Sequence, residues 1–234
     1  MTTSERQSVS AVVFDLFGTL VAAPSRRDRA DAATELADAF GVSPDAVRDA
    51  LGLTWRERHL GQWATVEAIA AGLAEKSGAH SPNLTAAAQR IRHRARQRLR
   101  WNRAILSMLN DLAGHGVAVA VLSDASTDIA DAWPRYAPPL PAFFSCREHV
   151  VKPDPVLYER VLDRLGLPAR AVLYCGDGGG DELAGAQRAG MTAVGVPVRG
   201  GPTAVAYHRA TWDGLRLDAA EHIPRLLETL TRAR

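Results

Sequence analysis

Five short apolar, β-prone runs punctuate this chain, and the segments between most of them have helical character. The runs are 11–14, 117–122, 142–146, 171–175 and 192–196. Helical stretches over 104–113, 155–165 and 182–189 precede the second, fourth and fifth. Gly114-His115-Gly116, Gly166 and Gly190 supply their C-terminal stops. A Pro-rich connection through Pro134, Pro138, Pro139 and Pro141 leads into the third. Strands that alternate with helices of about ten residues predict a parallel α/β sheet covered on both faces. Near-continuous apolar strands such as Ala11-Val12-Val13-Phe14 fit such burial.

One region breaks the rhythm. Between Ser25 and Arg100 there is no convincing strand, only helical patterns over 26–40, 43–60, 65–76 and 83–100, with Gly41, Gly61 and Gly78 between them. Ser43-Pro44-Asp45 reads as an N-cap followed by proline at the first helical position. The expected architecture is a Rossmann-like core from residues 1–22 and 101–234, with an all-helical cap from 23–100 inserted after the first strand. Ligands of open α/β sheets bind at the carboxyl ends of the strands, where such an insert would act as a lid.

Composition excludes other classes. Of 234 residues, 47% are hydrophobic and 23% charged, which is a globular balance. No apolar run approaches the roughly 20 residues of a membrane span. The polar opening MTTSERQSVS lacks the apolar stretch of a signal peptide, so a cytoplasmic protein is expected. Cys146 and Cys175 are too few for a disulfide framework and read as buried small hydrophobes. The arginine-rich run 89–103 tempts a nucleic-acid reading. Yet Ala88, Ile91, Ala95 and Leu99 make an apolar stripe along it, and the net charge is only +2. It is expected to be an amphipathic helix with a solvated basic face, and neither nucleic acid nor membrane is an expected partner. Only two of the 28 basic residues are lysine, Lys76 and Lys152, so each invites the question of why it is not arginine.

The strand ends carry the chemistry. Asp15 closes the first strand and is followed by Leu16-Phe17-Gly18-Thr19, where the glycine permits a tight turn. The second strand ends in Ser123-Asp124, suited to holding an oxyanion. After the third comes Val151-Lys152-Pro153. After the fourth comes Gly176-Asp177-Gly178-Gly179-Gly180-Asp181-Glu182, with carboxylates four residues apart around three glycines. Asp15, Asp177 and Asp181 together offer hard oxygen ligands for Mg²⁺. A carboxylate nucleophile, a hydroxyl, a lysine and an acidic pair describe a phosphoryl-transfer site.

At these residues the chain resembles the haloacid dehalogenase superfamily, mostly Mg²⁺-dependent phosphatases. Four motifs appear in family order: VVFDLFGTL (12–20), VLSDAS (121–126), VVKPDP (150–155) and VLYCGDGGGDELAGA (172–186). The resemblance implies that Asp15 is the nucleophile and forms an aspartyl-phosphate. It implies that Ser123 and Lys152 bind phosphoryl oxygens, in a pocket completed by Gly18, Thr19 and Asp124. The metal ligands it implies are Asp15, Asp177, Asp181 and the backbone carbonyl of Phe17. The expected substrate is a small phosphorylated metabolite; a monomer and a homodimer are both compatible with the sequence.

Phe17 departs from the pattern. Family phosphatases usually carry a second aspartate there, which protonates the leaving alkoxide and later activates water. Such help is commonly worth about 10²–10⁴-fold. Glu57, Arg58 and His59 of the cap are candidate substitutes. An aromatic at this place is familiar from metal-free 2-haloacid dehalogenases, which act on halogenated acids, and Trp55-Arg56-Glu57-Arg58 and Tyr158 resemble segments of those enzymes. Against that alternative, they carry Ser and Asn where this chain has Gly176 and Asp177. A retained Asp177 would repel a haloacid carboxylate unless a cation sits there. A domain that binds a ligand without turnover is the third reading.

Overall fold

The computed structural model describes residues 9–200 and 211–232. Six parallel strands form one sheet in the order β3-β2-β1-β4-β5-β6. They are β1 (Ala11–Phe14), β2 (Ala118–Ser123), β3 (Ala142–Phe144), β4 (Val172–Gly176), β5 (Thr192–Gly195) and β6 (Leu215–Arg216). β1 is central, with Phe14 beside Val121 on one side and Cys175 on the other. That register brings the carboxyl ends of β1, β2 and β4 to one edge. The expected fold, a Rossmann-like parallel sheet with helices inserted after the first strand, is the fold observed.

Successive strand residues face opposite sides of a sheet, and the two cores follow that alternation. Val12, Phe14, Val121, Leu173 and Cys175 pack against α6 (Arg103–Gly114), α7 (Thr127–Tyr136) and the start of α11 (Ile223–Arg232). Val13, Ala120, Leu122, Val172 and Tyr174 pack against α9 (Pro155–Leu165) and α10 (Glu182–Arg188).

Between β1 and β2 lie α1 (Arg26–Phe40), α2 (Pro44–Leu53), α3 (Trp55–His59), α4 (Val66–Lys76) and α5 (Leu84–Arg98). They enclose an apolar cluster of their own that includes Leu36, Phe40, Val47, Ile69, Leu73 and Ile91. Farther along α5, Ala95 and, just past its end, Leu99 join the sheet's cluster instead, which ties the insert to the core. The Ser43 hydroxyl caps α2, accepting from the Ala46 N–H at 3.2 Å with Pro44 at the first helical position.

Three expectations need correction. The single helix expected over 43–60 is two, α2 and α3, joined at Thr54. Its buried hydroxyl donates back to the Ala50 carbonyl at 2.6 Å, a bond that favours a bend. Cys146 lies in α8 (Ser145–Glu148), not at the end of β3, although it is buried as expected. The Ser145 hydroxyl bonds the backbone of Ala125 and draws the chain out of the sheet there. The sixth strand was not foreseen, being two exposed residues with no apolar run. The closing helix expected over 219–234 begins with a turn of 3-10 helix and continues as α11; residues 233 and 234 lie outside the described part.

The arginine helix is amphipathic as expected, with Ala88, Ile91, Ala95 and Leu99 all buried. Its polar side is tied down locally: Arg94 pairs with Glu35, Arg92 with Glu67, and Arg90 reaches the Glu35 carbonyl. The segment after α3 docks on the core, with the Leu60 carbonyl near His149 Nδ1 (2.9 Å) and the Trp63 carbonyl accepting from Thr127 Oγ1 (3.0 Å). Among the described residues no helix is long and apolar enough to cross a membrane.

Candidate active site

At the end of β1, Asp15 is buried and its backbone N–H is held by the Cys175 carbonyl at 2.9 Å. The chain then turns back, with the Leu16 carbonyl accepting from the N–H groups of Leu20 and Val21, each at 3.0 Å. The Thr19 hydroxyl thereby reaches Asp15 Oδ2 at 3.2 Å. Gly18 sits at φ 93°, and a Cβ there would run into the Asp177 carboxylate. Both facts require glycine. Arg199 clamps this turn from outside: its Nε donates to the Thr19 carbonyl (2.9 Å), its N–H to the Gly18 carbonyl (2.6 Å), and its guanidinium pairs with Glu221 (2.5 Å).

Lys152 lies in the connection between α8 and α9, with its ammonium buried beneath the strand ends. Nζ donates to Asp15 Oδ1 at 2.7 Å and to Glu182 Oε2, with Tyr174 Oη at 3.4 Å. Burial alone would drive the proton off this amine, but Asp15 and Glu182 beside it hold its pKa well above the ordinary lysine range. It is an ammonium throughout the physiological range. Asp15 shows the reverse balance: burial first, and then the charge of Glu182, push its pKa well up against the pull of Lys152.

Glu182 is the residue that sequence reasoning missed. It is fully buried, and both oxygens are engaged: Oε1 accepts from the Gly178 N–H at 3.0 Å, and Oε2 accepts from Lys152 and from Tyr174 Oη at 2.7 Å. The Tyr158 hydroxyl fixes the backbone beneath it, donating to the Glu182 carbonyl at 2.9 Å. Gly176 is glycine because a Cβ there would enter the Glu182 carboxylate. The signal was present as a second acid directly after Asp181. The expected offset of four residues fails because the turn over Gly179–Asp181 runs through left-handed conformations at Gly180 and Asp181, φ 62° and 57°. The acid five residues after Asp177 is the one that folds back.

Asp15, Asp177 and Glu182 accordingly present carboxylate oxygens within 4.8 Å of one another, and Asp181 is not one of this group. Fully ionised, as cation binding requires, the three carboxylates outweigh the one ammonium by two charges. That is the charge of one divalent cation, and the donors are hard oxygens, so the residues present fit Mg²⁺. Glu182 Oε2 already takes two donors, from Lys152 and Tyr174, and Oε1 a third, whereas each Asp15 oxygen takes one, so Asp15 and Asp177 are the side chains better suited to hold it; Asp177 Oδ1 accepts from the Gly179 N–H at 2.8 Å.

The other sequence-derived candidates fall as follows. Ser123 is buried at the end of β2, and Asp124 follows it with Oδ1 accepting from the Lys152 backbone N–H at 3.0 Å. The Phe17 side chain packs against the sheet's apolar cluster. His59 stacks on Trp55 with ring centroids 4.2 Å apart, and its Nδ1 lies 2.7 Å from the Trp55 carbonyl. Burial, and then Arg58, press its pKa down to about 3, so the ring is neutral at physiological pH and is no reservoir of an acidic proton. Arg58 is bonded within the insert, to the Leu51 carbonyl and the Thr54 hydroxyl.

A doubly wound sheet gathers three carboxylates around one buried lysine at its ligand edge. This chain belongs to the haloacid dehalogenase-like hydrolase family, whose model matches residues 9–190. Its fold is similar to that of a 2-haloacid dehalogenase from Pseudomonas syringae pv. tomato DC3000, at 20% identity over 94% of this chain and 99% of that one, with a TM-score of 0.67. The L-2-haloacid dehalogenase of Xanthobacter autotrophicus is similar at 22% identity, covering 94% and 98%, with a TM-score of 0.61. A family enzyme of Bacteroides thetaiotaomicron, solved with magnesium and inorganic phosphate, is similar at 16% identity, covering 82% and 96%, with a TM-score of 0.66. At these identities the likeness is one of fold. No curated protein matches the chain by sequence.

Proposed function

We propose that this hydrolase is a Mg²⁺-dependent phosphatase that acts on a small phosphorylated metabolite through an aspartyl-phosphate on Asp15. The observation that carries the reading is the convergence of Asp15, Asp177 and Glu182, whose carboxylate oxygens lie within 4.8 Å of one another beside Lys152. A haloacid bound without a metal would add a further like charge there, whereas a divalent cation would offset the carboxylates and give the phosphoryl oxygens a positive partner. Of the three features that lean toward a dehalogenase, Phe17 stands, while the other two have other uses: the Tyr158 hydroxyl is buried on the Glu182 carbonyl, and Trp55 stacks on His59.

Asp15, the Phe17 carbonyl and Asp177 would hold Mg²⁺, which when bound supplies charge neutralisation to the phosphoryl oxygens. Lys152 steers Asp15 Oδ1 by its 2.7 Å bond, which leaves the other carboxylate oxygen, tethered only by Thr19, as the attacking atom. Glu182 and Tyr174 fix the lysine. Ser123 and the N–H groups of the turn after Asp15 serve the phosphoryl oxygens, and the helical insert 23–100 acts as the cap that closes over them.

The test is turnover of p-nitrophenyl phosphate with Mg²⁺. EDTA and Asp15→Asn should each abolish it, and calorimetry should show Mg²⁺ binding that Asp177→Asn removes. Halide release from a 2-haloacid in the presence of EDTA, with no phosphate ester turned over, would replace this reading with the dehalogenase one.

A further inference from the structure

Phe17 leaves an aspartyl-phosphate enzyme without its usual proton donor, and the structure can be searched for another. The phenols of Tyr158 and Tyr174 are buried, pushed far up in pKa, and already donate to Glu182. The Cys175 thiol lies inside β4 and is likewise pushed up by burial. Lys152 holds two carboxylates, and both oxygens of Glu182 are bonded. His59 is neutral at physiological pH. Asp177 is assigned to the cation, and Asp181 lies outside the carboxylate group; Glu57 and Asp124 are the further candidates. Glu57 of α3 has Oε2 buried without a hydrogen-bond partner. Asp124 has Oδ1 held by the Lys152 N–H, and among the described residues Oδ2 has no hydrogen-bond partner.

Position separates the two. Asp124 lies at the ligand edge, one residue beyond β2, and β2 is hydrogen-bonded directly to the strand that carries Asp15. It is anchored to the backbone of the residue whose ammonium grips Asp15. Its carboxyl group is therefore oriented by one oxygen and available at the other. Glu57 belongs to the insert and has no such tie to the nucleophile.

We propose that Asp124 is the general acid and base of this hydrolase, taking the part that Phe17 cannot. The assignment rests on the phosphatase reading. In the first half-reaction an Asp15 carboxylate oxygen bonds to phosphorus and the bond from phosphorus to the leaving oxygen breaks. That oxygen keeps the electron pair and takes the proton of the Asp124 carboxylic acid. In the second, Asp124 carboxylate takes a proton from water as the water oxygen bonds to phosphorus. The bond from phosphorus to Asp15 breaks, inorganic phosphate leaves, and both groups return to their starting states. The environment suits the role: burial raises the Asp124 pKa to about 6, opposed by Lys152 and reinforced by Glu182, the charged groups that face it from the segment before α9 and from α10.

Asp124→Asn is the informative variant, because its amide oxygen can still accept from the Lys152 N–H while it has no acidic proton to give. Wild type and variant are compared with Mg²⁺ on an alkyl phosphate, whose alkoxide must be protonated, and on p-nitrophenyl phosphate, whose phenolate need not be. The expected result is a kcat loss on the alkyl ester that exceeds the loss on the aryl ester by about 100-fold. The wild-type decline in alkyl-ester turnover as pH rises through about 6 should also disappear in the variant. Equal losses on both esters would reduce Asp124 to a structural tie and overturn the proposal, as would a selective loss in Glu57→Gln instead. A wild-type enzyme inert toward both esters would overturn the phosphatase reading, and this assignment with it.

Discussion

The chain pairs basic and acidic side chains in two settings, and the contrast explains how its two kinds of cation are used. In the helical insert, Arg94 meets Glu35 with two bonds, Nε to Oε2 at 2.9 Å and a terminal nitrogen to Oε1 at 2.6 Å, in a partly solvated position. At the sheet edge, Lys152 meets Asp15 and Glu182 with all three side chains under 10% exposed. The solvated pair gains little net energy, because water already serves both ions. The buried trio has lost its water, so each charge depends on its partners, and removing one is expensive. An arginine-rich coding habit is harmless on the insert. At the sheet edge a compact ammonium fits, its three N–H groups meeting three acceptors, Asp15, Glu182 and the Tyr174 hydroxyl.

The largest expected effect comes from breaking the buried trio. Lys152→Met leaves Asp15 and Glu182 buried together with no cation between them. It should destabilise the fold by about 3–5 kcal/mol, measured by urea unfolding. Lys152→Arg keeps the charge but displaces Asp15, and a misplacement on the scale of an ångström costs about 100-fold in turnover. Lys76→Arg, on the exposed side of α4, is the matched control and should retain activity. If Lys152→Arg were as active as Lys76→Arg, the claim that the site needs a compact cation would fail.

The same contrast shows what can be read from a sequence. The parallel sheet was legible because each buried strand is a short apolar run with an abrupt polar end, and Asp15 and Ser123 could be placed from those ends alone, whereas Lys152, which lies beyond α8, could not. Glu182 was not, since the offset that brings it back depends on two left-handed residues, Gly180 and Asp181. Nothing in a run of glycines states which of two adjacent acids will turn inward. Arg199 was equally hidden: it contacts the turn 180 positions earlier in the chain, and no local pattern marks it. Element boundaries failed where one hydroxyl decided the path, the helix at Thr54 and the third strand at Ser145. The division at residue 100 was read from the end of the helical patterns, and the apolar contacts of Ala95 and Leu99 are with the sheet's cluster.

A smaller effect is expected one bond farther from Asp15. Tyr174→Phe removes a hydroxyl that donates to Glu182 Oε2 at 2.7 Å and leaves the ring packed against Tyr158. Glu182 keeps Lys152 and the Gly178 N–H, so the loss should be about 1 kcal/mol of stability in thermal unfolding. The effect on kcat should exceed that on KM, because the hydroxyl acts on the lysine and not on a bound substrate. A loss comparable to Lys152→Met would mean that the trio is held mainly by the phenol, and the ranking of ion over hydrogen bond at this edge would be reversed.

The smallest expected effect tests the solvated half of the comparison. Arg94→Ala should cost about 0.5–1 kcal/mol, the upper part of the range for exposed pairs, because its contact with Glu35 is two-pronged. The cost should shrink as salt is added. Its pH dependence follows from Glu35, whose carboxyl is held below the ordinary glutamate range, first by the Arg94 hydrogen bond. A depressed acid stabilises the fold above its unfolded pKa and loses that contribution as pH falls through the folded value. The wild-type advantage should therefore be complete at neutral pH and fade on acidification. An advantage that survived both high salt and low pH would show that Arg94 acts through its aliphatic stem and not through its charge, and the line between the two settings would have to be drawn by packing.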